Sequence, residues 1–256
     1  MMVDGYAEDL VLPYLLKYKS SASAERMDVI YDTYPSTSLK GTTRENRGSG
    51  IRRKVVSGTF LPTNWKEFLR SSENKIELFR YLSLKIGALS DGNINSAYDD
   101  TTTTGFDNSF VAPSDHEEAD TRLFLHIQDI TRNGLKNIMI RTVDTDVLIL
   151  AISLYQSLDT ESLWVDFGSG KNRSIIPIHD IVLDPVKRKG LRFFFSFTGC
   201  DQVSFFAHVS KQTAWKIWQV FPEANETFAK LSDEPTEECL RETLPLVERF
   251  VIICYN

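Results

Sequence analysis

The chain has 256 residues, which is long enough for one large domain or two small ones. Its composition, with 42% hydrophobic and 25% charged residues, excludes a disordered tail, a collagen and a disulfide-rich miniprotein. It contains no run of roughly 18 apolar residues that would span a membrane and no basic-then-apolar signal segment at its start. The net charge of -6 argues against a protein that only coats nucleic acid, although an enzyme that gathers carboxylates around metal ions is compatible with it.

Hydrophobic spacing predicts the elements of the first half of the chain. We expect an amphipathic helix over 6–19, a buried strand over 27–31 and helical structure over 63–87, capped at Thr63 or Asn64. The segment 40–54 is basic and contains glycine, which favours an exposed arm. The polar segment 90–112 predicts a mobile loop or a weak hairpin.

The second half alternates strands and helices. The predicted strands are 137–142, 164–167 and 174–178, and the predicted helices are 117–133, 146–158, part of 181–197 and 212–220. This alternation indicates an α/β fold with a mainly parallel central sheet flanked by helices, which we interpret as a single domain over 1–256. In such sheets, ligand sites form at the carboxyl ends of the strands.

Acidic residues cluster at the ends of four apolar elements. They are Asp32, Glu118, Asp120, Asp144, Asp146 and Asp201. Carboxylates are the ligands that Mg²⁺ and Mn²⁺ prefer, and two such ions about 3.5–4 Å apart can clamp the attacking and leaving oxygens of a phosphodiester. We therefore expect these carboxyls to converge on one cleft. For each acid taken singly, the alternative is helix capping, because an aspartate accepts the amide hydrogens of a first turn.

These motifs resemble those of the flap-endonuclease branch of the PIN-like nuclease superfamily. The resemblance extends over 27–218 and includes VIYDTYPSTSLKGTTRENR, and also HEEADTR, TVDTDVLIL and FTGCDQVSFF, which transposon-associated animal proteins share. It implies two Mg²⁺ or Mn²⁺ ions held by the six acids above. It also implies that Lys40, Arg44 and Arg47 face the scissile phosphate.

The same resemblance implies a helix-turn-helix-like element over 202–220 that grips the nucleic-acid backbone, with Lys211 at its turn. Arg52 and Arg53 extend the basic arm and are further candidates for backbone contacts. The expected function is metal-dependent hydrolysis of DNA or RNA phosphodiesters, with recognition of a particular nucleic-acid structure. The alternative is a catalytically inactive PIN-like module that binds nucleic acid or protein.

Two features depart from the pattern of that family. No strand followed by an aspartate precedes residue 27, and the turn after Asp201 lacks the glycines that let backbone amides approach a phosphate. The abrupt end at ERFVIICYN favours a fragment of a longer protein, in which the missing strand lies upstream. These departures are the features that favour the inactive module.

Other chemically active residues do not form recognisable sites. The three scattered cysteines have no paired spacing, which favours a reducing compartment and an intracellular protein, nuclear or cytoplasmic. We interpret Cys200 as a small buried residue because no histidine lies near it in sequence. His126 is expected to be a hydrogen-bonded core residue, and 168–171 a turn rather than a phosphate loop, since Asn172 stands where Ser or Thr would hold Mg²⁺.

Overall fold

The computed structural model describes residues 1–34, 50–98, 101–103, 107, 109–112, 114, 118–200, 203–233 and 235–256. These residues form two units, Met1–Asp129 and Ile130–Asn256. Most of the predicted basic arm, up to residue 49, lies outside the described residues, as does Asp201. Within the described residues, no helix combines the length and the apolar character that a membrane span requires.

The first unit combines helices with a small sheet. Its helices are α1, made of the consecutive segments Val3–Gly5, Tyr6–Val11 and Leu12–Ser21, then α2 (Trp65–Phe68), α3 (Ser72–Leu89) and most of α4 (Ala119–Arg132). Its strands are β1 (Asp28–Ile30), β2 (Asn95–Tyr98) and β3 (Thr101–Thr103). Strand β2 lies between the others, parallel to β1 and antiparallel to β3.

Helix α3 organises the core of the first unit. Its beginning is fixed by Ser71, whose hydroxyl accepts the amide hydrogen of Asn74 at 3.2 Å. Its apolar side chains recur at helical spacing, and Leu78, Leu82 and Ile86 are all buried. The amphipathic pattern therefore sets which face of α3 packs inward.

The described residues of the second unit form another small sheet and five α-helices. Its strands are β4 (Asn137–Thr142), β5 (Ser162–Phe167) and β6 (Ser174–Pro177), and its helices are α5 (Thr145–Leu154), α6 (Pro185–Phe197), α7 (Lys211–Val220), α8 (Ala224–Leu231) and α9 (Glu237–Cys254). Strand β5 is central, parallel to β4 and antiparallel to β6. Because β4 and β5 pair in register from Asn137 opposite Ser162 to Thr142 opposite Phe167, their carboxyl ends lie side by side.

An aromatic core holds the helices of the second unit together. The ring of Trp218 lies 4.8 Å from that of Phe194, and the ring of Phe228 lies 5.1 Å from that of Phe250, measured between centroids. Gly190 lets α6 approach α8 closely, since a side chain there would place its Cβ 3.0 Å from the Cβ of Phe228. The aromatic residues of this unit are therefore mostly core.

The α/β class is confirmed, but the expected sheet is wrong. Instead of one mainly parallel sheet, the described strands form two three-stranded sheets, each with one parallel and one antiparallel pair. The hairpin alternative for 90–112 is confirmed by the antiparallel pairing of β2 with β3. The expected helix-turn-helix over 202–220 is also wrong in its first half, because 203–210 contains no helix and only α7 follows.

Candidate carboxylate site

Asp32 lies just beyond the carboxyl end of β1 and contacts the beginning of α4. Its Oδ1 accepts the amide hydrogen of Ala119 at 3.0 Å, and the Tyr34 hydroxyl lies 3.4 Å from its Oδ2. Glu118 and Asp120 are the sequence neighbours of Ala119, so the structure brings Asp32 to that acidic segment. A carboxylate at a helix N-terminus is stabilised by the first-turn amides and by the helix dipole.

A buried polar network fixes β1 against α4. The Arg26 guanidinium donates two hydrogen bonds of 2.8 Å to Asp28, the first residue of β1, and lies 2.6 Å from a carboxylate oxygen of Asp129 in α4. His126 Nδ1 lies 2.6 Å from Asp28 Oδ2, to which the Asn95 amide also donates at 3.2 Å. The expected core role of His126 is confirmed.

The electrostatics of this network favour a charged Asp28. Burial raises the pKa of the Asp28 carboxyl, but the hydrogen bonds and charges of His126 and Arg26 outweigh that effect and hold the pKa below its usual range. The side chains of Arg26 and Asp28 are only 4% and 5% exposed. Because these hydrogen bonds and ion pairs join β1 to α4, the same network positions Asp32 at the amide of Ala119.

In the second unit, Asp144 and Asp146 lie between β4 and α5. Asp144 is the N-cap of α5, with its Oδ1 accepting the amide hydrogen of Asp146 at 2.9 Å, and its own amide donates to the Thr142 hydroxyl at 3.0 Å. Asp144 is exposed and Asp146 is half-buried. Capping, the alternative that the sequence left open, is thus present at Asp144.

Lys211 has an internal role that the sequence did not reveal. Its Nζ donates to the carbonyl of Phe195 at 2.5 Å and to the Thr198 hydroxyl at 3.0 Å. Lys211 therefore provides a hydrogen-bond donor for a carbonyl group in the last turn of α6. Burial lowers the pKa of the Lys211 ammonium, while the charges of Cys200 and Asp146 act in the opposite direction. A contact between Lys211 and nucleic acid stays a prediction.

The apolar run before Asp201 is the end of a helix, in agreement with the partly helical structure predicted for 181–197. Residues 193–197 form the last part of α6, so a helix and not a strand precedes the segment Gly199–Cys200. Gly199 has a φ of +100°, and a side chain there would place its Cβ 2.5 Å from the Cβ of Phe205. Glycine is therefore required at this turn.

The predicted cationic residues are only partly described. Lys40, Arg44 and Arg47 lie outside the described residues. Arg52 is exposed and pairs with Glu77, and its Nη1 donates to Asn74 Oδ1 at 2.9 Å. Arg53 is also exposed, while its backbone amide donates to the same Asn74 oxygen at 2.9 Å.

Besides Asp129 of α4, the sequence reasoning missed two buried carboxylates in strands. One is Asp28, and the other is Asp166, which is fully buried in β5 and accepts two hydrogen bonds of 2.7 and 2.6 Å from Arg173. Both stand inside otherwise apolar strands, and that placement was the available signal. A buried charge needs a partner, so each predicts a nearby cation rather than a catalytic function.

The five predicted metal ligands that the structure describes form two groups, one in each unit. Asp32 lies with the segment of Glu118 and Asp120 in the first, and Asp144 precedes Asp146 in the second. In the part of the chain that the structure describes, no three His, Cys, Asp or Glu side chains are close enough together to hold a metal ion. Convergence of the whole set on one cleft stays a prediction.

Comparison of the chain with models of known protein families, with curated proteins and with solved structures gave no match. The resemblance to flap endonucleases therefore stays a prediction from sequence motifs.

Proposed function

We propose that the chain is a divalent-metal-dependent hydrolase of DNA or RNA phosphodiesters. The observation that carries the proposal is the position of Asp32, which lies at the carboxyl end of a parallel strand and is held by the Ala119 amide between Glu118 and Asp120. Ligand sites of open α/β sheets form at such strand ends. Asp144 and Asp146 follow parallel strand β4 in the same way.

Sites that supply only one or two carboxylates suit Mg²⁺ or Mn²⁺. Mg²⁺ usually keeps several waters and binds through one or two carboxylates together with substrate phosphates, so a complete protein cage is not needed. A carboxylate has about four lone-pair directions, and the cap uses one oxygen of Asp144 while the other can receive a cation. The described acids therefore fit such an ion.

The proposed roles divide between the acids and the basic arm. When bound, the divalent cation supplies positive charge at the scissile phosphate and eases deprotonation of an attacking water. Asp32, Glu118, Asp120, Asp144, Asp146 and Asp201 are the proposed ligands. Lys40, Arg44 and Arg47 are proposed to neutralise the charge that develops on the phosphate.

An inactive interaction module is the second candidate. It is favoured by the caps themselves, because Asp32 and Asp144 each bind a helix amide and so have a sufficient structural role without any metal. In that case the module binds nucleic acid or a protein without cleaving it. The two candidates differ in whether the negative charge of these residues is needed.

The test is a cleavage assay on end-labelled single-stranded, duplex and flap DNA and on RNA, with Mg²⁺ or Mn²⁺. Asp32→Asn and Asp144→Asn keep a capping oxygen, since Asn caps as well as Asp, but remove the carboxylate charge. We expect each to lower the cleavage rate by roughly 10²-fold or more. Asp159→Asn, at an exposed acid outside both groups, is the matched control and should cleave like the parent.

A folded parent protein that cleaves none of these substrates with either metal refutes the hydrolase. Binding of the same substrates without cleavage then supports the interaction module. Parent-like cleavage by both Asn variants refutes the assignment of these acids as ligands.

A further inference from the structure

Residues 51–60 form an open pocket on the first unit that is lined by cations and one exposed aromatic ring. We call it the basic pocket, and its volume is about 500 Å³. Its lining residues are Ile51, Arg52, Arg53, Lys54, Gly58, Thr59 and Phe60. No carboxylate is among these lining residues, although the chain as a whole is acidic.

One wall of the basic pocket is fixed by two side chains of α3. The fully buried Asn74 accepts the backbone amide hydrogen of Arg53 at 2.9 Å and donates to the carbonyl of Ile51 at 2.7 Å. Glu77 accepts the amide hydrogen of Val55 at 2.6 Å. The backbone that carries the cations is therefore ordered before any ligand arrives, which lowers the entropic cost of binding.

The other wall is fixed by pairing with the start of the chain. Phe60 forms an antiparallel bridge with Met2, and the amide of Gly58 donates to Asp4 at 2.7 Å. Gly58 has a φ of +80°, which a side chain would strain. The Phe60 ring is nevertheless 64% exposed, so a rigid backbone presents a large aromatic surface to solvent.

The charges of the basic pocket are incompletely neutralised. Glu77 pairs with Arg52 and also interacts with Lys54, and these contacts contribute to a Glu77 pKa below its usual value despite burial. Among the described residues, the Arg53 guanidinium has no hydrogen-bond or ion-pair partner. Arg52 is balanced by Glu77 and interacts with Glu73, and Asp4 at the other wall pairs with Lys85, so Arg53 and Lys54 leave a positive potential beside Phe60.

We propose that the basic pocket binds single-stranded nucleic acid, with Phe60 stacked on a base and with Arg53 and Lys54 contacting phosphates. A positive surface combined with an aromatic platform is the arrangement that binds single strands without sequence preference. A duplex offers the same phosphates, but its bases are stacked on one another and present no face to Phe60. The inference deepens the proposed function by naming the substrate class, and it depends on that proposal for nucleic acid as the partner.

The test measures binding of the full chain to fluorescently labelled dT15, rU15 and a 15-bp duplex in EDTA, so that binding is read without cleavage. Phe60→Ala should weaken single-strand binding by about 5- to 150-fold, since one stacked base is worth about 1–3 kcal/mol. Phe60→Trp should bind like the parent, and duplex binding should change little in either variant. Tyr14→Ala, at an exposed aromatic residue elsewhere in the unit, is the matched control and should have no effect.

The proposed phosphate contacts of Arg53 and Lys54 are tested by the salt dependence of single-strand binding. Arg53→Ala with Lys54→Ala should lower the slope of log affinity against log salt by about 1.4, two single-strand phosphate contacts at roughly 0.7 each. Lys17→Ala with Arg80→Ala removes the same charges from exposed positions outside the basic pocket and should leave the slope unchanged.

The outcomes separate this inference from the proposed hydrolysis. Single-strand binding that depends on Phe60, without cleavage when Mg²⁺ is added, supports the basic pocket and refutes hydrolysis. Metal-dependent cleavage with parent-like affinity in Phe60→Ala supports hydrolysis and overturns the basic pocket. Absence of single-strand binding by the parent at low salt also overturns it.

Discussion

Replacing Arg26 by methionine removes a cation that contacts two buried carboxylates at once. The side chains of Arg26, Asp28 and Asp129 are 4%, 5% and 6% exposed, and the guanidinium lies within 2.8 Å of both acids. Breaking a buried ion pair by removing one partner costs about 3–5 kcal/mol, because the remaining charge is left uncompensated. We expect a loss of that size in the free energy of unfolding.

The loss should be concentrated in the first unit. At about 0.05–0.15 kcal/mol per residue, a unit of its length has a total stability of roughly 6–19 kcal/mol, so the variant would lose a large part of it. Urea unfolding gives the change in free energy, and hydrogen exchange should show faster opening of β1 and α4. Trp65 is the single tryptophan of the first unit, and its fluorescence reports that unit if the other tryptophans are replaced.

The pH dependence distinguishes this network from ordinary packing. In the parent, the Asp28 pKa is held low, so its contribution is present above the unfolded pKa of about 3.9 and is lost as pH falls through the lower folded pKa. In Arg26→Met the Asp28 pKa should rise, because one of the two groups that oppose the effect of burial is lost, so the difference in stability between parent and variant should shrink as pH is lowered from 7 towards 5.

A matched triple variant completes the test. Arg26→Met combined with Asp28→Leu and Asp129→Leu leaves no unpaired carboxylate and should recover much of the stability lost by the single change. A loss below about 1 kcal/mol in Arg26→Met, or a variant whose pH slope matches that of the parent, would refute the reasoning.

Four further outcomes are expected from local geometry. Gly199→Ala should destabilise the second unit by about 1–3 kcal/mol, measured by urea unfolding, because its positive φ and the nearby Phe205 both oppose a side chain. Asp144→Ala should lose about 1 kcal/mol through its cap, whereas Asp144→Asn should lose little. Burial lowers the pKa of Lys187, so the unfolded state binds more protons and parent stability should rise with pH towards 10.5, a rise that Lys187→Met should abolish in pH-dependent melting. Mg²⁺ at about 100 times its dissociation constant should stabilise the fold by up to roughly 2.7 kcal/mol, and a melting shift that is the same in Asp144→Asn would exclude that residue as a ligand.

Elements with strong local patterns were predictable from sequence. The predicted strand over 137–142 is found unchanged as β4, and α4 differs from its prediction by at most two residues at either end. Both are determined by side chains within a few positions of each other. Asn64 is likewise confirmed as the cap of α2, because its side chain accepts the amide hydrogen of Glu67.

Strand pairing was not predictable in the same way. Strand β2 reads as a polar loop, yet its residues are buried, including Asn95 and Ser96. Asn95 is buried because it donates to Asp28, a residue 67 positions away. Periodicity within a short window does not encode that partner, so the hairpin was predictable but the parallel pairing of β2 with β1 was not.

The candidate site was predictable in its residues but not in their chemistry. An aspartate between a strand and a helix has the same sequence signature whether it caps the helix or binds a cation. Asp144 illustrates this, since the structure gives it a cap while leaving an oxygen for another ligand. Sequence located Asp32 and the Glu118–Asp120 segment as related, and the contact with Ala119 brings them together.

The identity of the capping residues still carries information about the two candidate functions. A cap needs only an oxygen acceptor, and Asn or Ser serves as well as Asp. At the start of α4, however, Asp32 lies against a turn that already contains Glu118 and Asp120, and at α5 Asp144 is followed by Asp146. Replacing a capping Asp by Asn keeps the cap and removes the charge, so Asp32→Asn and Asp144→Asn separate capping from cation binding.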